Sequence, residues 1–253
     1  MSFAQYPSLR DRVVFITGGG SGIGAAMVEA FFAQGASVGF VDIAHAESRA
    51  LVERLSDGGR KPLFLPCDLL DIHALEAAMQ EVQLKLGPIG ALINNAANDN
   101  RQKVDEVTEA DWDRTMGVNL KHQFFAARAA HRQMRANGGG SIVNFSSIAW
   151  MHGGEAMTGY ATAKAAVLGL TNSLAREFGR DNVRVNAIAP GAVSTERQRR
   201  LWISPTDLEA IVSRQCLRRV LFPDEIARTA LFLASDDSAM ITKQCIIVDG
   251  GLR

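Results

Sequence analysis

The chain has 253 residues, and its 27 lysines and arginines balance 27 aspartates and glutamates, so the formal charge is zero. Hydrophobic residues make up 47% and charged residues 21%. That excludes a disordered chain, and the neutral balance removes the simplest argument for nucleic acid or an anionic membrane as partner. Three scattered cysteines, Cys67, Cys216 and Cys245, offer neither a disulfide framework nor a zinc site, so no metal is expected and a reducing cytosol is. No apolar run reaches the roughly 18 residues of a membrane span. The opening M-S-F-A-Q-Y-P lacks the basic and apolar regions of a signal peptide, which makes a cytoplasmic location the expectation.

In chain order, short apolar runs alternate with longer amphipathic stretches. A strand over 13–17 is followed by a helix over 22–34 with Met27, Val28, Phe31 and Phe32 on one side. A strand over 36–42 and a helix over 47–55 lead to the Asp57-Gly58-Gly59 stop, as glycine past a last turn predicts. Further strands are expected over 62–67, 91–94, 141–146, 183–188 and 245–248. Helices are expected around 75–86, 111–136, 158–178 and 223–234. This alternation implies one α/β domain over 1–253, a doubly wound parallel sheet with helices on both faces. The stretch 191–223, rich in arginine and carrying Pro205, is the least regular and reads as a functional lid.

Glycine is in excess, with 23 residues against a typical level of roughly 7%. Five of them fall in the T-G-G-G-S-G-I-G run over 17–24, between the first strand and the first helix. Bare backbone there lets the chain turn sharply and approach a pyrophosphate at Gly18, Gly22 and Gly24. The helix start at Ser21 and Ile23 adds free N–H groups and a positive dipole end. Asp42 closes the second strand about 20 residues on, as a dinucleotide fingerprint expects. Its carboxylate suits adenosine ribose hydroxyls and repels a 2′-phosphate, so the expected cofactor is NAD over NADP.

The chain has two tyrosines. Tyr6 is near the terminus, whereas Tyr160 precedes Lys164 by four residues on a helical stretch, which puts both side chains on one face. A neighbouring ammonium favours phenolate and is expected to lower the tyrosine pKa, making the pair a workable general acid/base. Ser147 lies thirteen residues before Tyr160 at the end of a strand, where active sites of open parallel sheets gather.

These motifs, with Asn94-Asn95-Ala96 and Pro190-Gly191, occur in the order and spacing of the short-chain dehydrogenase/reductases, which the whole chain resembles. The resemblance implies a Rossmann-like seven-stranded parallel sheet, a homotetramer, Tyr160 as base, Lys164 on the nicotinamide ribose and Ser147 on the reacting oxygen. It also implies that Asn119 anchors the water of a proton relay and that Asp68 holds the adenine amino group. Ile43, Leu69, Asn95, Ala96, Ala97, Pro190, Gly191, Val193 and Thr195 complete the implied cofactor site, with Val193 meeting the carboxamide through its backbone. Ala97 stands where the family usually has glycine, and its methyl is expected to crowd either the ribose or the substrate pocket.

Several stretches outside these motifs, among them Asn98-Asp99 and R-Q-R-R-L-W over 197–202, resemble the bacterial sugar 1-dehydrogenases acting on xylose, galactose or L-fucose. That implies a sugar substrate oxidised at C1 to the lactone. Sugar binding needs hydrogen-bonding groups and a flat apolar face, and the candidates are Asn98, Ser147, Trp150, His152, Glu155, Tyr160, Gln198 and Trp202. Trp150 and Trp202 fit core positions as well, His152 a turn, and Arg197, Arg199 and Arg200 a solvated face. His45, His73, His122 and His131 read as surface residues. The alternatives are a 3-oxoacyl or steroid-type carbonyl reductase, which Asp42 and the polar lid disfavour, and a non-catalytic dinucleotide-binding regulator, which the intact Asn119, Ser147, Tyr160 and Lys164 set disfavours.

Overall fold

The structure, a computed structural model, describes residues 4–252; the start of the signal-peptide reading therefore lies outside the described residues. Seven strands form one sheet: β1 (Val13–Thr17), β2 (Ser37–Asp42), β3 (Leu63–Pro66), β4 (Ile89–Asn94), β5 (Gly140–Phe145), β6 (Val183–Pro190) and β7 (Cys245–Val248). Their order is β3-β2-β1-β4-β5-β6-β7 and every pairing is parallel. The chain leaves β1 toward β2 on one side and returns to β4 on the other, so the ligand crevice belongs outside the carboxyl ends of β1 and β4. Thr17 pairs with Asn94, and Asn94 with Asn144, which aligns those ends in one row.

Alternation along β1 supplies both faces of the core. Val14 and Ile16 enter an apolar cluster with Phe31 of α1 (Gly22–Ala33), Leu51 of α2 (His45–Leu55) and Leu231 of α10 (Pro223–Ala234). Val13 and Phe15 enter another with Met79 of α3 (Ile72–Leu86), Ala126 of α5 (His122–Ala136) and Leu174 of α7 (Thr158–Phe178). Each buried Phe or Leu contributes about 1.5–3 kcal/mol, and the two clusters fix the sheet between its helical layers. Among the described residues no helix is long and apolar enough to cross a membrane.

Three regions depart from expectation. The helix expected over 111–136 is α4 (Glu109–Met116) and α5 joined by a π turn, Gly117–Lys121. The lid region is more regular than its composition suggests, with α8 (Glu196–Leu201), α9 (Pro205–Arg214) and a parallel bridge between Val193 and Leu221. A capping box starts α9, in which Ser204 Oγ accepts from the Asp207 N–H at 3.2 Å and Asp207 accepts from the Ser204 N–H at 3.0 Å. The short α6 (Ala149–His152) stops at Gly153, which has a left-handed φ of 68°. His122 is not a surface residue, as it is fully buried on α5, and His131 stacks on Phe178 and pairs with Asp181 at 2.7 Å.

Candidate active site

The glycine loop is locked by its neighbours. Gly18 has φ +68°, and a Cβ at Gly24 would lie 1.7 Å from the Gly18 carbonyl oxygen, so no side chain fits there. Asn95, just past β4, donates from Nδ2 to the carbonyls of Thr17 and Gly18 at 3.1 and 2.9 Å. The N–H groups of Asn95 and Ala96 donate to Thr17 Oγ1, both at 3.1 Å. Ser21 does not cap α1 with its side chain, so the first-turn N–H groups remain available to an anion at a positive dipole end. Asp42 faces the loop, accepting from the Gly20 and Ala44 N–H groups at 2.8 Å each. Bare backbone, orphan donors and a carboxylate for a ribose fit a dinucleotide.

Farther along the row of strand ends, Ser147 follows β5 while Tyr160 and Lys164 stand on the first turns of α7. Ser147 Oγ accepts from the Ala149 N–H at 3.1 Å, and Lys164 Nζ lies 5.6 Å from the phenol ring centroid and donates to the Phe145 carbonyl at 2.9 Å. Burial pushes the Tyr160 pKa up to about 12; the Ser147 hydrogen bond opposes it and the charge of Asp99 adds to it. Burial also pushes Lys164 down to about 7, against the charge of Asp99. The expected lowering of the phenol by Lys164 is therefore reversed in the protein alone. Desolvation of the phenol dominates, and Lys164 is not among the groups that move its pKa.

Polar side chains hold this floor from beneath. The Phe145 carbonyl also accepts from Gln123 Nε2 at 3.3 Å. Asn94 Nδ2 donates to Asn144 Oδ1 at 2.9 Å, and Asn144 Nδ2 to Thr171 Oγ1 at 3.1 Å, a buried chain across β4, β5 and α7. The π turn places Asn119 beneath the loop after β4, where its Oδ1 accepts from the Asn98 N–H at 2.9 Å. Its Nδ2 donates to the carbonyls of Asn98 and Thr115 at 3.0 Å each. The Asn119 side chain is thus engaged in positioning the loop and does not border the cleft, while its backbone carbonyl accepts from Gln123 Nε2 at 3.2 Å.

A model of the family described as enoyl-(acyl carrier protein) reductase matches residues 18–253. The chain is 52% identical over 250 residues to a probable galactose dehydrogenase of Rhizobium meliloti, covering 98% of both chains. It is 44% identical over 253 residues, all of both chains, to the D-xylose 1-dehydrogenase of Caulobacter vibrioides. The chain belongs to the short-chain dehydrogenase/reductase family. A crystal structure of a putative short-chain alcohol dehydrogenase from Sinorhizobium meliloti superposes with a TM-score of 0.91 at 32% identity, covering 97% of this chain and 98% of that one. The protein is thus a short-chain dehydrogenase that works with a nicotinamide dinucleotide.

The cleft of this dehydrogenase, about 1090 Å³, is bordered by every cofactor residue expected from the sequence. Gly18, Ser21, Gly22, Ile23 and Gly24 border it from the glycine loop, and Asp42, Ile43, Asp68 and Leu69 from the ends of β2 and β3. Asn95, Ala96 and Ala97 border it just past β4, and so do Tyr160, Lys164, Pro190, Gly191, Val193 and Thr195. Ile43 is 71% exposed there, an apolar side chain on the cleft's border. Ala97 borders the cleft without entering the left-handed backbone region, so that position does not require glycine.

The substrate candidates divide. Asn98, Ser147, Tyr160, Gln198 and Trp202 border the cleft, but Trp150, His152 and Glu155 do not. The single turn of α6 gives Ala149 to the cleft and carries the next residues past it, and Met157 takes the place expected for them. Trp150 is half-buried, its indole Nε1 shielded without a hydrogen-bond partner. Residues of the 191–223 stretch bond the loop after β4. Arg197 Nη2 donates to Asn98 Oδ1 and Asn100 Oδ1 at 3.1 Å each, and the Arg101 guanidinium lies 4.8 Å from the Trp202 ring centroid. Arg200 borders the cleft, while Arg199 bonds Ser194 instead. Sequence reasoning missed Asp99 and Arg197, which also border the cleft; charged residues beside the motif loop and at the lid start were the available signal.

Proposed function

We propose that this dehydrogenase oxidises C1 of an aldose to the sugar lactone with NAD⁺, using Tyr160 as general base. The observation that carries the reading is that Ser147, Tyr160 and buried Lys164 border one cleft together with the glycine loop and Asp42. The galactose and xylose dehydrogenases named among its relatives support the substrate class. Ser147 holds the anomeric hydroxyl and Tyr160 takes its proton. NAD⁺ held in the cleft would supply the hydride acceptor for C1, and the reaction then balances as lactone, NADH and a proton. Lys164 sets the charge beneath Tyr160 and holds the nicotinamide ribose.

In the same reading Gly18, Gly22, Ile23 and Gly24 carry the pyrophosphate, and Asp42 takes the ribose hydroxyls. Asp68 binds the adenine amino group, Ile43 and Leu69 flank the ring, and Val193 and Thr195 bind the carboxamide side. Asn98, Gln198 and Trp202 contact the sugar, and residues 191–223 close over it as the lid of one 1–253 domain. The assembly is a cytoplasmic homotetramer, for which sedimentation of the purified protein should give a four-chain species.

The test is NADH formation across a panel of aldoses, sugar acids and simple alcohols. Turnover of at least one aldose is expected, and Tyr160→Phe should lower kcat by about 10²–10⁴-fold with NAD⁺ affinity kept. No turnover of any aldose rejects the reading.

A further inference from the structure

The substrate end of the cleft holds a carboxylate without a role in this chemistry. Asp99 follows Asn98, whose backbone Asn119 grips through both its N–H and its carbonyl. Its side chain is only 15% exposed and borders the cleft with Tyr160 and Lys164. In the proposed reading Asp42, Glu47 and Asp68 belong to the adenosine end, and Glu196 and Asp207 are exposed on the lid. Gln198 Nε2 donates to Asp99 Oδ2 at 2.6 Å, and Arg197 Nε reaches Oδ1 at 3.3 Å. A carboxylate offers about four lone-pair sites, so two stay free for a ligand. Asp99 is also near enough to the reacting groups for its charge to act on both Tyr160 and Lys164.

Joining lid to loop does not account for this residue. Arg197 already makes that connection through Asn98 and Asn100. A shielded carboxylate facing a polyol forms charge-assisted hydrogen bonds, which are stronger than neutral ones. Ser147 and Tyr160 are both committed to the C1 hydroxyl in the proposed reaction.

We infer that Asp99 is a specificity-determining residue whose carboxylate accepts a hydrogen bond from a second hydroxyl of the sugar ring, beside the amide of Gln198. The inference rests on the aldose reading above. It adds that the site selects its substrate by a hydroxyl that takes no part in the chemistry.

The experiment compares wild type with Asp99→Asn, which keeps size and removes charge. Both are assayed at saturating NAD⁺ with the aldose that wild type uses best and with its 2-, 3- and 4-deoxy counterparts. Asp99→Asn should lower kcat/KM for the parent sugar by roughly 10- to 100-fold, the range of a hydrogen bond to a charged group. That loss should shrink to within about twofold for the one deoxy sugar lacking the bound hydroxyl, the mark of a removed partner, and KM for NAD⁺ should not change. An equal loss for the parent and every deoxy sugar overturns the inference, because it marks a loop-holding role only. An undiminished kcat/KM for the parent overturns it too. If wild type oxidises no aldose, the aldose reading itself fails and the inference falls with it; if it does, the variant alone decides. Should Asp99→Asn not fold, Asp99→Ser is read by the same criteria.

Discussion

Asn119 and Asn98 hold each other by a reciprocal pair of hydrogen bonds, Asn98 N–H to Asn119 Oδ1 at 2.9 Å and Asn119 Nδ2 to the Asn98 carbonyl at 3.0 Å. A side-chain amide here does what a neighbouring strand does in a sheet, satisfying the donor and the acceptor of one residue. Asn119→Ala strands both groups, at a cost of about 1–3 kcal/mol. The variant should unfold at lower denaturant and lose at least about tenfold in kcat/KM, because Asn98 and Asp99 lose their placement. Wild-type kinetics in a stably folded Asn119→Ala protein would show that the loop holds itself.

Asp42 should decide cofactor choice. Its two oxygens accept from the Gly20 and Ala44 N–H groups, which holds the side chain beside the glycine loop, where in the proposed NAD reading it meets the adenosine ribose and would oppose a 2′-phosphate. Asp42→Ser should lower efficiency with NAD⁺ and raise it with NADP⁺, moving their ratio by about 100-fold, the scale of one charged hydrogen bond plus one repulsion removed. Steady-state kinetics with both cofactors measure that ratio, and an unmoved ratio places discrimination elsewhere.

The pH profile of oxidation follows from the phenol. Base catalysis needs phenolate, and burial holds Tyr160 at about 12 in the protein alone. The reactive fraction therefore grows with pH, and kcat/KM for oxidation should climb from pH 7 toward pH 10, by up to about tenfold per unit. Lys164, pushed down to about 7 by burial, is about half charged at the start of that climb. A profile flat over the same range would count against Tyr160 as the base.

Acid stability should depend on His122. Burial, with the charge of Lys164, pushes its pKa down to about 3, and the carbonyls of Val118 and Gly117 oppose this only in part. The native ring stays neutral, whereas the unfolded chain takes up a proton below the ordinary value of about 6.5. Stability is then lost as pH falls from about 6.5 toward 3, by up to about 1.4 kcal/mol per unit. His122→Leu removes that term. The difference in unfolding free energy between pH 8 and pH 5 should shrink by about 2 kcal/mol, and denaturant titrations at both values measure it.

Most of the architecture was legible because it follows from periodicity. Strand β1 and helices α7 and α10 have the bounds that apolar spacing and the prolines suggest, and the strand-end row follows from parallel pairing. Other features were written in the chain in a weaker hand. His122 precedes Ala126 and Ala130 by four and eight residues, on a face whose other members are buried, so helical spacing already pointed inward. Ser204-Pro205-Thr206-Asp207 carries the signature of a capping box, which announced α9 inside an arginine-rich stretch. Trp150, His152 and Glu155 were chosen by residue type, and type does not say which way a four-residue helix turns. Nor does it give the balance between burial and charge at Tyr160, which depends on depth. Asp99 figured only in the Asn98-Asp99 stretch that resembles sugar 1-dehydrogenases and was given no role of its own, because it belongs to none of the catalytic motifs, though it adjoins one.

The π turn between α4 and α5 has a consequence for the phase of the chain. An α-helix advances about 100° per residue, and a π turn takes up about one residue more than an α turn would. The residues of α5 that meet the sheet, Gln123, Ala126, Ala127 and Ala130 among them, are therefore set one step out of phase with the helix that leads into them. Deleting one residue within 117–121 would restore an unbroken α-helix and keep the sheet-facing residues of α5 where they are. It would turn α4 by about 100° and take the Asn119 amide away from Asn98. Such a chain would keep its core and lose the alignment of its cleft, so a local surplus of one residue separates what the fold needs from what catalysis needs.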